Sequence, residues 1–450
     1  MKRGQKTIGS VLVFIGLISN PCLLSKLFSN DGEVTTTTIL VGIILTEILI
    51  VIHGVSVCFL GKKSLSNIGL IVISTWFTVG ASVLADRTYG NLLMPEIRNY
   101  VYPPFSRVVH NTSEFNSTID INNLGFRGPN TTIEKTKKRV LIVGDSFTFG
   151  WGVELDQTWV AHLQARYPQF EFLNLGQGGT HQGDHIGVLK KSIDELQPDI
   201  VMACVLQGND LHQLYRIIEA RNNGLYSLMA KIESDSHWIS ATKRLSETVY
   251  PNFTTRFGNR AKIQNRWLEE SREIKSRFSD LELTEYEKLD TTLRNSFEDG
   301  LMNPSLILES LRYPKLYQLV ADTSNVITKK AIVFMHYLFV QMDELCTQNG
   351  SKLIVVAQPC RPYGFNESIE PLCKMGFEAE GCDTLNALLP IEIAIQETGI
   401  SMVSPQIPDD YNKFYFKYDG HWNVSGNRIF AKELINKLDS LPQWKHFLTS

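Results

Sequence analysis

The chain has almost no excess of charge: 44 lysines and arginines meet 47 aspartates and glutamates, a formal net of −3 over 450 residues. No basic footprint exists to neutralise a phosphate backbone, which excludes nucleic acid as an expected partner. Cysteine is scarce, with seven in all. No two of them make a Cys-x-x-Cys pair, so neither a zinc site nor a redox site is expected. Internal repeats are absent, and low complexity is confined to the threonines at 35–38. What remains is long enough for one large domain, or two modest ones, with ample apolar residues for a core.

Long hydrophobic runs are present, and all three fall in the first 90 residues, at 8–24, 39–60 and 68–85. Each is near the roughly 20 residues that a helix needs to cross a bilayer. Asn20, Pro21 and Lys26 trim the far end of the first run, for which a cleaved signal peptide is the competing reading. The two runs close behind it, and the absence of a small-residue cleavage site, favour retention. Lys2, Arg3 and Lys6 precede the first run, and Lys62 and Lys63 occupy the second loop. The positive-inside rule then places the N-terminus in the cytoplasm and everything after Asp86 outside or in the periplasm. Glu47 and His53 inside the second run either mark a proton or ligand path or pair with a neighbouring helix or subunit. An exported domain permits disulfides, and Cys373 with Cys382 is the expected pair. The divisions read as a membrane anchor at 1–90, a linker and entry segment at 91–138 and one domain at 139–445.

From Arg139 the pattern alternates. Apolar strands are predicted at 139–143, 170–174, 199–206, 352–357 and 400–403. Helices are predicted at 157–167, 184–196, 324–349, 384–398 and 425–438. Strands separated by helices call for a parallel sheet covered on both faces, an α/β flavodoxin-like three-layer sandwich. Between 211 and 323 the alternation breaks into a charged, helical stretch, read as an inserted lid or subdomain. The linker carries Tyr102-Pro103-Pro104, a compact turn at 122–128 around Arg127, and Asn-x-Ser/Thr triplets at Asn111, Asn116 and Asn130. Those triplets would matter only in a secretory eukaryote.

Open α/β sheets bind ligands at the carboxyl ends of their strands. Three small polar, Gly-containing motifs sit at such ends: Gly144-Asp145-Ser146, Asn174 to Gly179, and Gln207-Gly208-Asn209-Asp210. A serine needs a base to become a nucleophile, and Asp419-Gly420-His421-Trp422 supplies one near the end of the chain. Blander duties compete for each residue. Ser146 suits a helix cap, Asn209-Asp210 a helix start, His421 a solvent-facing loop, and Trp151 packing over a turn. His181 and His185, with Asp184 beside them, have metal-like spacing but no third ligand, so no metal and no cofactor is expected.

Taken together, these motifs resemble the four blocks of the SGNH/GDSL hydrolases over roughly residues 120–440, the helical insertion excluded. The resemblance implies that fold, with Ser146 as nucleophile, the N–H groups of Ser146 and Gly179 and the Asn209 amide as the oxyanion hole, and Asp419 with His421 completing the triad. The turn around Arg127 is similar to a feature of membrane-linked bacterial members. The family spaces its last pair Asp-x-x-His, whereas here Tyr418 stands three before His421. The shorter Asp-x-His-Trp is similar to alginate-acetylation proteins of the same superfamily. Asp409, Asp410 or a Ser–His dyad remain alternatives for the orienting group.

The implied function is a membrane-anchored serine esterase that removes acyl, expected to be acetyl, groups from an extracytoplasmic glycan or related ester. Two rivals stand beside it. One is an O-acyltransferase working on a cell-surface polysaccharide with a membrane acyltransferase partner. The other is a non-catalytic glycan-binding component of an export assembly.

Overall fold

Runs rich in β-branched residues with no polar interruption form strands buried on both faces, and Val140-Leu141-Ile142-Val143 is one of them. The computed structural model describes residues 3–18, 98–222, 262–264, 267–407 and 411–449, with Ile50, Val51, Val55 and Leu84. Among these the strands are β1 (Arg107–Asn111), β2 (Asn116–Asp120), β3 (Arg139–Val143), β4 (Glu171–Asn174), β5 (Ile200–Leu206), β6 (Lys262–Gln264), β7 (Lys352–Gln358) and β8 (Ser401–Val403). β3 and β5 are buried along their whole length, and β7 is buried beyond Lys352.

Five strands make one parallel sheet in the order β4-β3-β5-β7-β8. This is the flavodoxin-like order, in which the chain steps one way from β3 to β4 and the other way ever after. Right-handed crossovers then place the helix Trp159–Arg166 on one face, and Gln182–Leu196, Val326–Gln348 and Leu389–Ile395 on the other. Val424–Ser440 joins the first face against Trp159–Arg166, while Asn209–Asn222 packs with Val326–Gln348 on the second. Thr158 caps one helix by accepting from the Ala161 amide, and Asn423 caps another by accepting from the Gly426 amide.

Several expectations need correction. Within 91–138, read as a linker and entry segment with no strand, β1 and β2 form an antiparallel hairpin, extended by β6 pairing parallel to β1. Val108-Val109 and Thr118-Ile119 are β-branched pairs, and Ser117, Ile119 and Ile121 are buried on alternate positions. That period of two was masked in the sequence by the surrounding Asn and Ser. The helix expected at 384–398 is shorter, Leu389–Ile395, because Pro390 sets its first turn. The insertion starts later than 211, since Asn209–Asn222 belongs to a sheet-covering layer. Five helices from Trp267 to Ala321 follow: the first four pack on one another around Tyr286, Leu293 and Phe297, and Leu316–Ala321 packs against Asn209–Asn222 and Leu389–Ile395. Cys373 and Cys382 are free thiols, not a disulfide, as are Cys204, Cys346 and Cys360.

Of the three apolar runs, the first begins in the helix Arg3–Ile18. Among the described residues no helix is long and apolar enough to cross a membrane. Glu47, His53 and most of the second and third runs lie outside the described residues.

Candidate active site

The sheet order reverses between β3 and β5, the place where open α/β sheets hold their ligands. Ser146 leaves the end of β3. The cap of its short helix, Ser146–Phe149, is not the serine but Asp145, whose carboxylate accepts from the Phe147 amide at 2.9 Å. The Ser146 hydroxyl is thereby spared from capping. Close chain approach behind it requires glycine: a Cβ on Gly144 would lie 2.1 Å from Thr148 Oγ1, and one on Gly176 2.4 Å from the Phe149 nitrogen.

His421 arrives from 275 positions away, with Nε2 2.7 Å from Ser146 Oγ. Its Nδ1 lies 2.5 Å from Asp419 Oδ1. The imidazole is largely covered, 13% exposed, so it is not a solvent-facing loop histidine. Burial pulls the Asp419 carboxyl upward, but the facing imidazole outweighs this and holds it below its ordinary value. The shortened spacing has a local cause. Gly420 adopts φ +80°, and a Cβ there would fall 2.4 Å from the Arg361 guanidinium. The left-handed residue folds the chain tightly enough for Asp419 to reach the ring two residues on. Asp409 and Asp410 lie outside the described residues, and the orienting position is occupied by Asp419.

The two remaining predicted residues flank the serine. Gly179 adopts φ +71° with open space where a side chain would stand, in a turn whose Gly178 lies against Ser146: a Cβ on Gly178 would come within 4.0 Å of the serine Cβ. Asn209 starts the helix after β5, as its blander reading held, and its side chain also bonds Asp145. Gly208 precedes it at φ +86°. Asp210 is wholly buried, accepting from Gln182 Nε2 at 2.7 Å and from the Leu206 amide at 3.1 Å. Burial pushes Asp145 up to about 6 and raises Asp210 well above its ordinary range, the latter also through the charge of Asp145.

Sequence reasoning missed the residues that the hairpin and insertion contribute. His110 of β1 packs at a tilt against Trp151, 4.2 Å between ring centroids, and Trp151 lies 5.6 Å from the His421 ring. Trp267 of the insertion completes the cluster, 6.2 Å from Trp151. Burial lowers His110 to about 4, leaving it neutral. Tyr102 accepts a hydrogen bond from the Gly178 amide at 3.1 Å. Arg127, buried, donates to the carbonyls of Phe149, Gly150 and Val153, bracing the loop that carries Ser146. His181 caps its own helix and His185 meets Thr180; among the described residues no acidic, His and Cys cluster could hold a metal.

The fold and this geometry define an α/β protein with a Ser–His–Asp relay at the switch point of a doubly wound sheet. No family model and no curated protein matches the chain. Among solved structures it is similar to TesA, at 10% identity over 67% of this chain and 98% of that one, with a TM-score of 0.30. It is also similar to a two-domain esterase active on acetylated mannans, at 12% identity, covering 67% of this chain and 49% of that one, TM-score 0.31. A third is a protein assigned to the G-D-S-L lipolytic family from Desulfitobacterium hafniense DCB-2, at 12% identity, 67% and 99% coverage and TM-score 0.27. At these scores the reading of the site rests on its own distances.

Proposed function

We propose that the chain is a membrane-anchored serine esterase that removes acyl groups from an extracytoplasmic glycan or a related ester. The observation that carries the ester chemistry is the continuous relay Asp419–His421–Ser146, with contacts of 2.5 and 2.7 Å. His421 Nε2 takes the Ser146 proton as Oγ attacks the ester carbonyl, and Asp419 stabilises the imidazolium that forms. The oxyanion meets the Ser146 and Gly179 amides and the Asn209 side chain, a donor set whose single members are typically worth about 3 kcal/mol each. Collapse expels the alcohol, which leaves with the proton from His421. Water, deprotonated by the same nitrogen, then releases the acid from the acyl-serine. As the acyl–Oγ bond breaks, His421 returns that proton to Ser146 Oγ, so the net change is addition of water across the ester bond.

The membrane anchor is supported by the three apolar runs and by Ile8, Val11 and Phe14, which stand 60%, 51% and 64% exposed along the helix Arg3–Ile18. The glycan and the acetyl group are supported by the outward orientation that the basic residues predict and by the family resemblance, with Trp151 offering a half-buried ring beside His421. Purified protein should hydrolyse a short-chain nitrophenyl ester, and a fluorophosphonate should label Ser146 alone. Ser146→Ala should lower kcat by at least about 10³-fold. Activity that survives this change, or none in the parent, would reject the esterase.

A further inference from the structure

The short Asp-Gly-His turn is gripped from both sides by residues remote in sequence. On one side Arg361 donates from Nη1 to the Lys417 carbonyl and from Nη2 to the Tyr418 carbonyl, each at 2.6 Å. On the other, the carboxylate of Glu114, in the turn between β1 and β2, accepts from two consecutive amides. Tyr418 N–H lies 3.1 Å from both of its oxygens, and Asp419 N–H lies 2.7 Å from Oε2. Successive amides converging on one anion form a nest, a strong and directional arrangement.

Glu114 is itself held in place. Its amide donates to Thr112 Oγ1 at 3.1 Å, and Ser113 is tied to the Leu301 carbonyl of the insertion at 2.9 Å. Its neighbour Phe115 packs on Phe416 of the same loop as Asp419, with centroids 4.7 Å apart. Asp419 is buried, and its amide has this carboxylate as a partner 305 positions away. With a single left-handed glycine between Asp419 and His421, a small rotation of the Tyr418–Asp419 peptide would swing Oδ1 off Nδ1.

We propose that Glu114 is a positioning residue that sets the orientation of Asp419 toward His421, making the hairpin a functional part of the active site. It touches neither substrate nor reacting atoms and acts only through the backbone of residues 418 and 419. The proposal rests on the esterase reading. In the full chain, Glu114→Gln should lower kcat about tenfold to a hundredfold, below the roughly 10⁴-fold that loss of the orienting carboxylate produces in serine proteases. KM should stay within about twofold, since substrate contacts are untouched. Because the effect passes through Asp419, adding Glu114→Gln to Asp419→Asn should cause no further loss, whereas a general structural defect would multiply with it. Glu114→Asp keeps the charge but shortens its reach and should fall between parent and Glu114→Gln, so either variant that keeps the parent's thermal melt decides the matter. A kcat within twofold of the parent, or a loss that multiplies with Asp419→Asn, overturns the role of Glu114 alone. A parent that neither hydrolyses ester nor takes up fluorophosphonate overturns the esterase reading and this one with it.

Discussion

Gly420 shows how one residue can reconcile an unusual spacing with an ordinary geometry. Its positive φ and the guanidinium packed where a side chain would be leave glycine as the one residue that lets an Asp-x-His segment present both groups to a serine. The buried histidines make a second argument at this scale. Burial lowers His110 to about 4 and His185 to about 3, from an ordinary 6.5. The unfolded chain therefore takes up protons below pH 6.5 while the folded one does not, so this stabilisation is complete above that pH and falls with acidification. Asp145, raised to about 6 by burial, acts in the opposite sense, gaining stability as pH falls from 6 toward 3.8. The histidine contribution is isolated by difference. Between pH 7.5 and 5 the parent should lose about 2 kcal/mol relative to His185→Gln, read from urea midpoints. A difference that stays constant with pH would show His185 to titrate normally.

Among the elements, the loop after β3 depends on a residue outside it. Arg127 sits at the end of the 122–127 turn, bridged to Ile121 and to Asn174 of β4, and its guanidinium bonds three carbonyls of the nucleophile loop. Arg127→Met preserves most of the side-chain volume and leaves those carbonyls without their donor in a buried place. Each unpaired group costs roughly 1 kcal/mol or more, so the chain should lose about 3 kcal/mol of stability. Esterase kcat should fall with it, because the loop that aims Ser146 loosens. Denaturant unfolding indistinguishable from the parent would mean that water replaces the guanidinium without penalty. The hairpin and insertion also reach the site: Glu114 accepts from the Tyr418 and Asp419 amides, and His110 and Trp267 pack with Trp151, although no motif marks them.

At the scale of the whole molecule, the proposed orientation predicts that a reporter fused after residue 90 is active outside the cytoplasm and silent within it. The reverse pattern would turn the topology over and remove an extracytoplasmic glycan as substrate. The layered fold was legible because each of its signals is local. A run such as Val201 to Leu206 can be buried on both faces only in a covered parallel sheet, and glycine and small polar residues mark the strand ends where the chain must turn sharply. The predicted strand bounds accordingly lie within one residue of those observed. Ser146, Asp419 and His421 were legible for the same reason, as chemistry-bearing residues set in recognisable turns.

Local pattern was enough for the alternation, for the edge of the sheet on which the polar motifs fall, and for the pairing of Ser146 with His421 and Asp419. The folded chain alone reveals that residues 107–120 are a hairpin, that Glu114 reaches the Asp419 turn, and that Trp267 comes to lie beside Trp151. Short-range periodicity is written in neighbouring residues. Contacts between Glu114 and Asp419, 305 positions apart, depend on how a hairpin and an insertion dock on the finished sheet, and no local pattern encodes that.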